Sequence, residues 1–259
     1  MHTSLNKKKN TLFVVLCGIF LTNAIVAEII GVKIFSGEAF LGYEPAHINL
    51  LGFTLDFNLT AGALIWPIVF ITTDIINEYF GKAGVRKISV FTAILIAYVF
   101  VIISIATSLP PAGFWVDVNN TDPSGNNFNI DYAFKTIFRQ GLGIIFGSLT
   151  AFLIGQFLDV AVFQKLKQIT GSKYLWLRAT GSTLVSQLID SFVVLFIAFF
   201  VFGNWSFNQV VSVGIINYIY KFSVAILLTP LIYLAHSIID RYLGEKNAEK
   251  LSESSTGNT

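Results

Sequence analysis

Charge is scarce in this 259-residue chain: Asp, Glu, Lys and Arg make up 12% of it, about half the share of an ordinary soluble domain. So few charged groups cannot cover a water-facing surface, which excludes a soluble enzyme and a disordered chain. The 17 basic and 15 acidic residues leave a net charge of +2, too little for a phosphate-binding footprint, so no nucleic-acid partner is expected. The one cysteine, Cys17, lies in an apolar run and permits neither an internal disulfide nor a cysteine-based metal site. No phosphate-binding G-x-x-x-x-G-K-[ST] segment is present, and no metal or cofactor is expected. What is abundant is apolar: 54% of residues are hydrophobic, with 25 phenylalanines. The expected class is an all-α, polytopic protein of the lipid bilayer.

A crossing helix needs about 20 mostly apolar residues. Six such spans are expected, at residues 11–33, 59–79, 88–109, 136–158, 177–203 and 210–239, forming one transmembrane domain over 11–240. Residues 1–10 and a polar, mobile tail at 241–259 flank it. The loop charges set the orientation. Lys7, Lys8 and Lys9, then Lys82, Arg86 and Lys87, then Lys165, Lys167, Lys173 and Arg178, then Arg241, Lys246 and Lys250 fall at alternate connections. The intervening loops carry Glu38, Glu44 and Asp56, or Asp117, Asp122 and Asp131, with no Lys or Arg. Both termini are therefore expected in the cytoplasm. Residues 47–58 alternate around Gly52, a hairpin pattern, and residues 119–129 are polar turn sequence.

Ionisable groups inside spans are costly and mark function by default. Asn23 and Lys221 fall near mid-depth, Asp190 at a depth matching Lys221, and Asp74 and Glu78 on one helical face. Gln187 shares a face with Asp190, Asn217 with Lys221, and Trp66 and Phe70 with Asp74. These stripes on spans one, two, five and six can converge on one cavity. The alternative is structural: Asp190 and Lys221 lock two helices together, and Glu78 pairs with Lys82 or Arg86. Glu28 has no evident partner and belongs either to an outer vestibule or to a pair. His236 is expected at the interface. Gly143, Gly147 and Ala151 make a small-xxx-small face for close helix packing.

Residues 71–82, ITTDIINEYFGK, carry a T-D-x-x-x-E-x-(aromatic)-G pattern. Two further stretches, around Arg139 to Lys167 and Trp176 to Phe196, add R-x8-S-x3-F-x3-Q-x2-D-V and W-L-R-x3-S-T-x3-S-Q-x2-D-S, and Tyr220, Lys221, Pro230 and Tyr233 follow. Together these resemble the queuosine precursor transporter family, also called the vitamin uptake transporter family. The resemblance covers nearly the whole membrane portion. It implies a bacterial inner-membrane importer of 7-deazaguanine bases, with a fold similar to the substrate-binding components of energy-coupling-factor transporters. The implied substrates are 7-cyano-7-deazaguanine, 7-aminomethyl-7-deazaguanine and, in some members, queuine, which feed tRNA modification. A homo-oligomer is compatible with this reading. The competing function is a substrate-capture subunit driven by separate ATPases; an intramembrane aspartyl protease built on Asp74 and Asp190 lacks the expected Gly-x-Gly-Asp context. A guanine-like edge offers two N–H donors and a carbonyl, which suit a carboxylate, an amide or Lys donor, and an aromatic cover. Asp190 or Glu78 is the expected base contact, with Asp74 orienting the base or carrying a proton.

Overall fold

The computed structural model describes residues 2–171 and 174–256; Lys173 lies outside them. The helices are α1 (His2–Ile30), α2 (Gly37–Phe40), α3 (Trp66–Ala106), α4 (Gly113–Val118), α5 (Ile130–Phe138), α6 (Leu142–Thr170), α7 (Leu175–Leu195), α8 (Phe207–Leu243) and α9 (Glu245–Thr256). The chain is all-α, with five helical stretches long and apolar enough to cross a membrane: Leu5–Ile30, Trp66–Ala106, Ile130–Thr170, Leu175–Val201 and Phe207–Leu243. Phe20, Val69, Ile76, Val85, Ile96 and Phe152 form the inner packing. Ile94, Val101, Leu227 and Leu234 stay more than half exposed around the outside, the surface an apolar solvent would wet.

The stretch Trp66–Ala106 is two helices. A straight α3 of 41 residues would run about 60 Å, twice the hydrocarbon core. Instead Gly81 breaks it with φ 68° and ψ −175°, a region open essentially to glycine alone. The chain folds back there: Thr73 and Ser89 both donate to the same Gln156 Oε1, at 3.0 and 3.4 Å, although a straight helix would hold them about 24 Å apart. The expected loop of Lys82, Arg86 and Lys87 is thus helical from its first residues, and the turn is a single glycine.

Other boundaries also moved. The second apolar run begins not as helix at Leu59 but as strand. β1 (Ile34–Ser36) pairs antiparallel with β4 (Asn58–Thr60), and a 3-10 turn (Ala61–Leu64) leads into Trp66. Pro67 in the first turn suits a helix start there. The alternating segment forms the expected hairpin, β2 (Ile48–Leu50) with β3 (Phe53–Leu55). Ser212 of α8 donates to Leu50 O at 3.2 Å and ties this hairpin to the bundle. Glu38 organises the same cap: it accepts from Ser36 Oγ at 3.1 Å, Ala46 N at 3.4 Å and Phe57 N at 2.7 Å. Burial opposes its ionisation, but these donors outweigh it and hold the carboxyl below its ordinary range. Past α7 the chain widens into a π-helical turn, Phe196–Val201. The small-residue face of α6 packs on this region as expected: a Cβ on Gly147 would sit 3.0 Å from Val194 O, and one on Gly143 2.5 Å from Phe202 Cβ.

Both chain ends meet at one end of the bundle. Lys8 Nζ donates to Tyr242 O at 2.8 Å, so the start of α1 lies beside the close of α8. The polar tail is not loose there: α9 turns Ala248 and Ser255 inward, 2% and 6% exposed, and Leu251 packs against the core. A stripe at 248, 251 and 255 follows helical spacing, and that signal was available in a segment otherwise read as polar.

Candidate functional site

Three layers of polar side chains descend through the bundle, one helical turn or two apart on α3, α6, α7 and α8. The upper layer is a cavity of about 310 Å³, at the low end of the size that holds a small-molecule ligand. It opens beneath the β1–β4 pair, whose Ile34, Asn58 and Thr60 form its rim. Trp66 and Phe70 line it from α3, with ring centroids 6.3 Å apart, and Phe152 of α6 stands 5.8 Å from Trp66. Phe199 of the π-helical turn lines it too and stacks on Trp205 at 4.4 Å. Gln187 and Asp190 enter from α7, Asn217, Tyr220 and Lys221 from α8, and Glu28 from α1. Lys221 Nζ meets Asp190 Oδ2 at 2.5 Å, each side chain 23% exposed. The expected ion pair between sequential helices is therefore present, and it faces open space rather than sealed core. Gln140 donates to Glu28 O at 3.0 Å, which holds the end of α1 against the approach to α6. Among the described residues the Glu28 carboxylate belongs to no ion pair.

The middle layer is buried. Asp74 is 1% exposed and Asp159 fully covered. Ser186 and Thr183 donate to Asp159 Oδ1 at 3.3 and 3.5 Å. Thr180 and Thr229 meet at 3.0 Å between α7 and α8.

The lower layer closes the end where the termini meet. Arg178 grips Glu78 in a two-point pair, Nε to Oε2 at 3.0 Å and Nη2 to Oε1 at 2.9 Å. Lys167 Nζ stands 3.4 Å from Glu78 Oε1 and donates to Glu78 O, Ser252 O and Ser255 Oγ. Ser252 Oγ donates to Glu78 Oε1 at 2.5 Å, so α9 is part of the cluster. Beside it Tyr79 donates to Asp240 at 2.7 Å and lies 2.8 Å from His236 Nδ1. His236, expected at the interface, is 7% exposed.

Of the nine residues expected to converge, six line the cavity: Trp66, Phe70, Gln187, Asp190, Asn217 and Lys221. Asp74 lies below it beside Gln187 and Phe70. Asn23 does not reach it; its amide donates to Ile19 O at 2.8 Å. Glu78 is two turns down, and its partners are not Lys82 or Arg86 but Lys167 and Arg178, both 3% exposed. Two residues of an expected basic loop are thus structural cations. Helical spacing put 74 and 78 on one face, but a chain reversal at Gly81 and a contact 100 residues away decided what that face meets. Glu28, left between an outer vestibule and a pair, lines the cavity, and Gln140 and Tyr220 join it without having been singled out for it. The signal for Glu28 was a carboxylate inside a span with no basic residue one turn away; nothing marked Gln140.

A family model described as "Putative vitamin uptake transporter" matches residues 60–235, which run from the end of β4 past Lys221 and leave out α1 and α9. The chain is 33% identical over 187 residues to the "Probable queuosine precursor transporter" of Bacillus subtilis (strain 168), across 71% of this chain and 75% of that protein. It is 30% identical over 181 residues to the "Queuosine precursor transporter" of Escherichia coli (strain K12), across 66% and 70%. A Haemophilus influenzae protein named as in Bacillus is 29% identical over 192 residues. No solved structure matches.

Proposed function

The chain belongs to the vitamin uptake transporter family, and on that premise we propose that it imports queuosine precursors across the bacterial inner membrane for tRNA modification. The candidate substrates are 7-cyano-7-deazaguanine, 7-aminomethyl-7-deazaguanine and queuine. The names of the relatives support the substrate class. The observation that carries the reading is the composition of the cavity: two carboxylates, four amides, one ammonium and a wall of aromatic rings around a space of about 310 Å³.

A 7-deazaguanine needs two acceptors side by side for its ring and exocyclic N–H groups, a donor for its carbonyl, and a flat apolar cover. Glu28, outside any ion pair among the described residues, is the carboxylate best able to take both donors. Lys221 can donate to the carbonyl while Asp190 keeps it charged and aimed. Trp66, Phe70 and Phe152 supply the stacking face, worth about 1–3 kcal/mol per base. Asn217 and Gln187 serve the remaining polar edge. Glu78 and Asn23 drop out of the contact set, and Asp74 stands behind it.

The chain crosses the bilayer six times on this reading, since α3 supplies two passes. Both termini lie in the cytoplasm with the basic residues around Gly81 and α9. The cavity then opens toward the external loops, and the Glu78–Arg178–Lys167 layer closes the inner side.

The test is uptake of labelled 7-cyano-7-deazaguanine by cells unable to make it, with binding followed on the purified protein. Glu28→Gln is expected to weaken binding by about 5- to 150-fold, the loss of a two-point pair, and Asp190→Asn to do the same through Lys221. Unchanged uptake in both variants would remove this cavity from consideration.

A further inference from the structure

Beneath the cavity lies a second void of about 20 Å³, room for one water-sized occupant. Pro67, Phe70, Gln187 and Val224 line both spaces, so one layer of side chains separates them. The polar lining of the small void is Asp74, Thr180, Thr183 and Gln187.

Two of its oxygens are orphaned. Asp74 is 1% exposed and Gln187 5%, yet Asp74 Oδ1 and Gln187 Oε1 have no hydrogen-bond partner. Asp159 stands behind Thr183, which donates to its Oδ1 at 3.5 Å, and its Oδ2 is also without a partner. Neither aspartate belongs to an ion pair among the described residues. An unmet buried acceptor is costly, and a charged one more so; two facing carboxyl groups add repulsion. Every one of these unmet atoms is an acceptor. What the niche lacks is a donor or a cation, and its carboxylate, amide and hydroxyl oxygens are the ligand set of a hard monovalent cation.

We propose that the niche lined by Asp74, Thr183 and Gln187, with Asp159 behind Thr183, binds one monovalent cation, a sodium ion or a proton carried on the carboxyl pair, and that its occupation is coupled to the substrate cavity above. The coupling half rests on the transport reading. Gln187 and Phe70 are the physical link, because each lines both spaces: a cation that draws the Gln187 oxygen down fixes the amide that a substrate meets from above. The charged groups facing Asp74 are Asp159 from α6, Glu78 from its own helix and Arg178 from α7. From α8 the lining is apolar, Val224, Ala225, Leu228 and Ile232.

Two measurements need no substrate. The purified full-length protein is melted in sodium, potassium and choline chloride at equal ionic strength. A sodium site gives a saturable rise of about 3–6 °C at ten times its dissociation constant, absent in Asp74→Asn. The proton form gives instead a protonated-carboxyl infrared band that bleaches as the pH is raised and is missing in Asp74→Asn, with Asp159→Asn as the second variant. Neither signal in the wild-type protein overturns the site, whether or not the variants fold. For the coupling, an imposed inward gradient of the cation so identified should accelerate 7-cyano-7-deazaguanine uptake into liposomes several-fold, and Asp74→Asn should lose that acceleration. Gradient-independent uptake sinks the coupling alone. A protein that neither binds nor carries the base sinks the transport reading, while the melting and infrared results still decide the niche.

Discussion

Glu78 and Glu28 are both intramembrane carboxylates, and their surroundings divide them between structure and function. Glu78 is clamped by Arg178 and Lys167 and capped by Ser252. Removing one member of such a buried set leaves an uncompensated charge and costs about 3–5 kcal/mol. Glu78→Gln is therefore expected to lower the melting temperature of the detergent-solubilised protein markedly. Because the side chain lies two turns below the cavity, the affinity of the folded fraction for substrate should stay at the wild-type value, measured by equilibrium binding. The contrast with Glu28→Gln, which should lose affinity and keep stability, separates the two roles. The residue pattern around Asp74 and Glu78 made both look like site residues, since helical periodicity reports a shared face and says nothing of what is packed against it.

At the scale of elements, the reversal of α3 depends on one glycine. Gly81 adopts φ 68° and ψ −175°, and a Cβ there would lie 2.8 Å from the backbone oxygen of Ser255. Gly81→Ala carries two penalties, a backbone conformation costing about 1–3 kcal/mol and a clash with α9. Ending the chain at Gly244 removes the clash but not the conformation, so thermal melts should show Gly81→Ala less harmful in the shortened protein than in the full one. The outer cap answers to pH. Glu38 is held below its ordinary range, so its contribution is full above that range and is lost as the pH falls through the folded value. Amide protection factors over residues 36–57, the exchange rates corrected for the intrinsic rate at each pH, should fall at acid pH in the wild type, and Glu38→Gln should show the lower protection already at neutral pH.

For the whole molecule, the distribution of charge makes the orientation testable. Thirteen of the 17 basic residues lie on the proposed cytoplasmic side; the other four are Lys33, Lys135, Arg139 and Lys221. In a Cys17→Ser background, a cysteine replacing Ser124 is expected to react with a membrane-impermeant maleimide on intact inner-membrane spheroplasts. One replacing Lys250 should react only after the membrane is opened. The reverse pattern would invert the bundle and turn the cavity toward the cytoplasm.

The sequence by itself determined the membrane class, the apolar stretches, the alternation of basic and acidic connections, the hairpin at 47–58 and the Asp190–Lys221 pair. Each follows from composition or spacing within a short segment, or from two matched depths on adjacent helices, and lipid solvation and helical geometry act on such segments locally. Tertiary structure alone decided that Glu78 is clamped by Arg178 and Lys167 below the cavity, that Glu28 stands in the cavity, and that a polar tail is a packed helix. Those outcomes depend on contacts such as Glu78 with Arg178 and Ser252, 100 and 174 residues apart. Which buried charge finds which partner is settled only once the helices close around them, because only then is water gone and each charge obliged to find a counterpart.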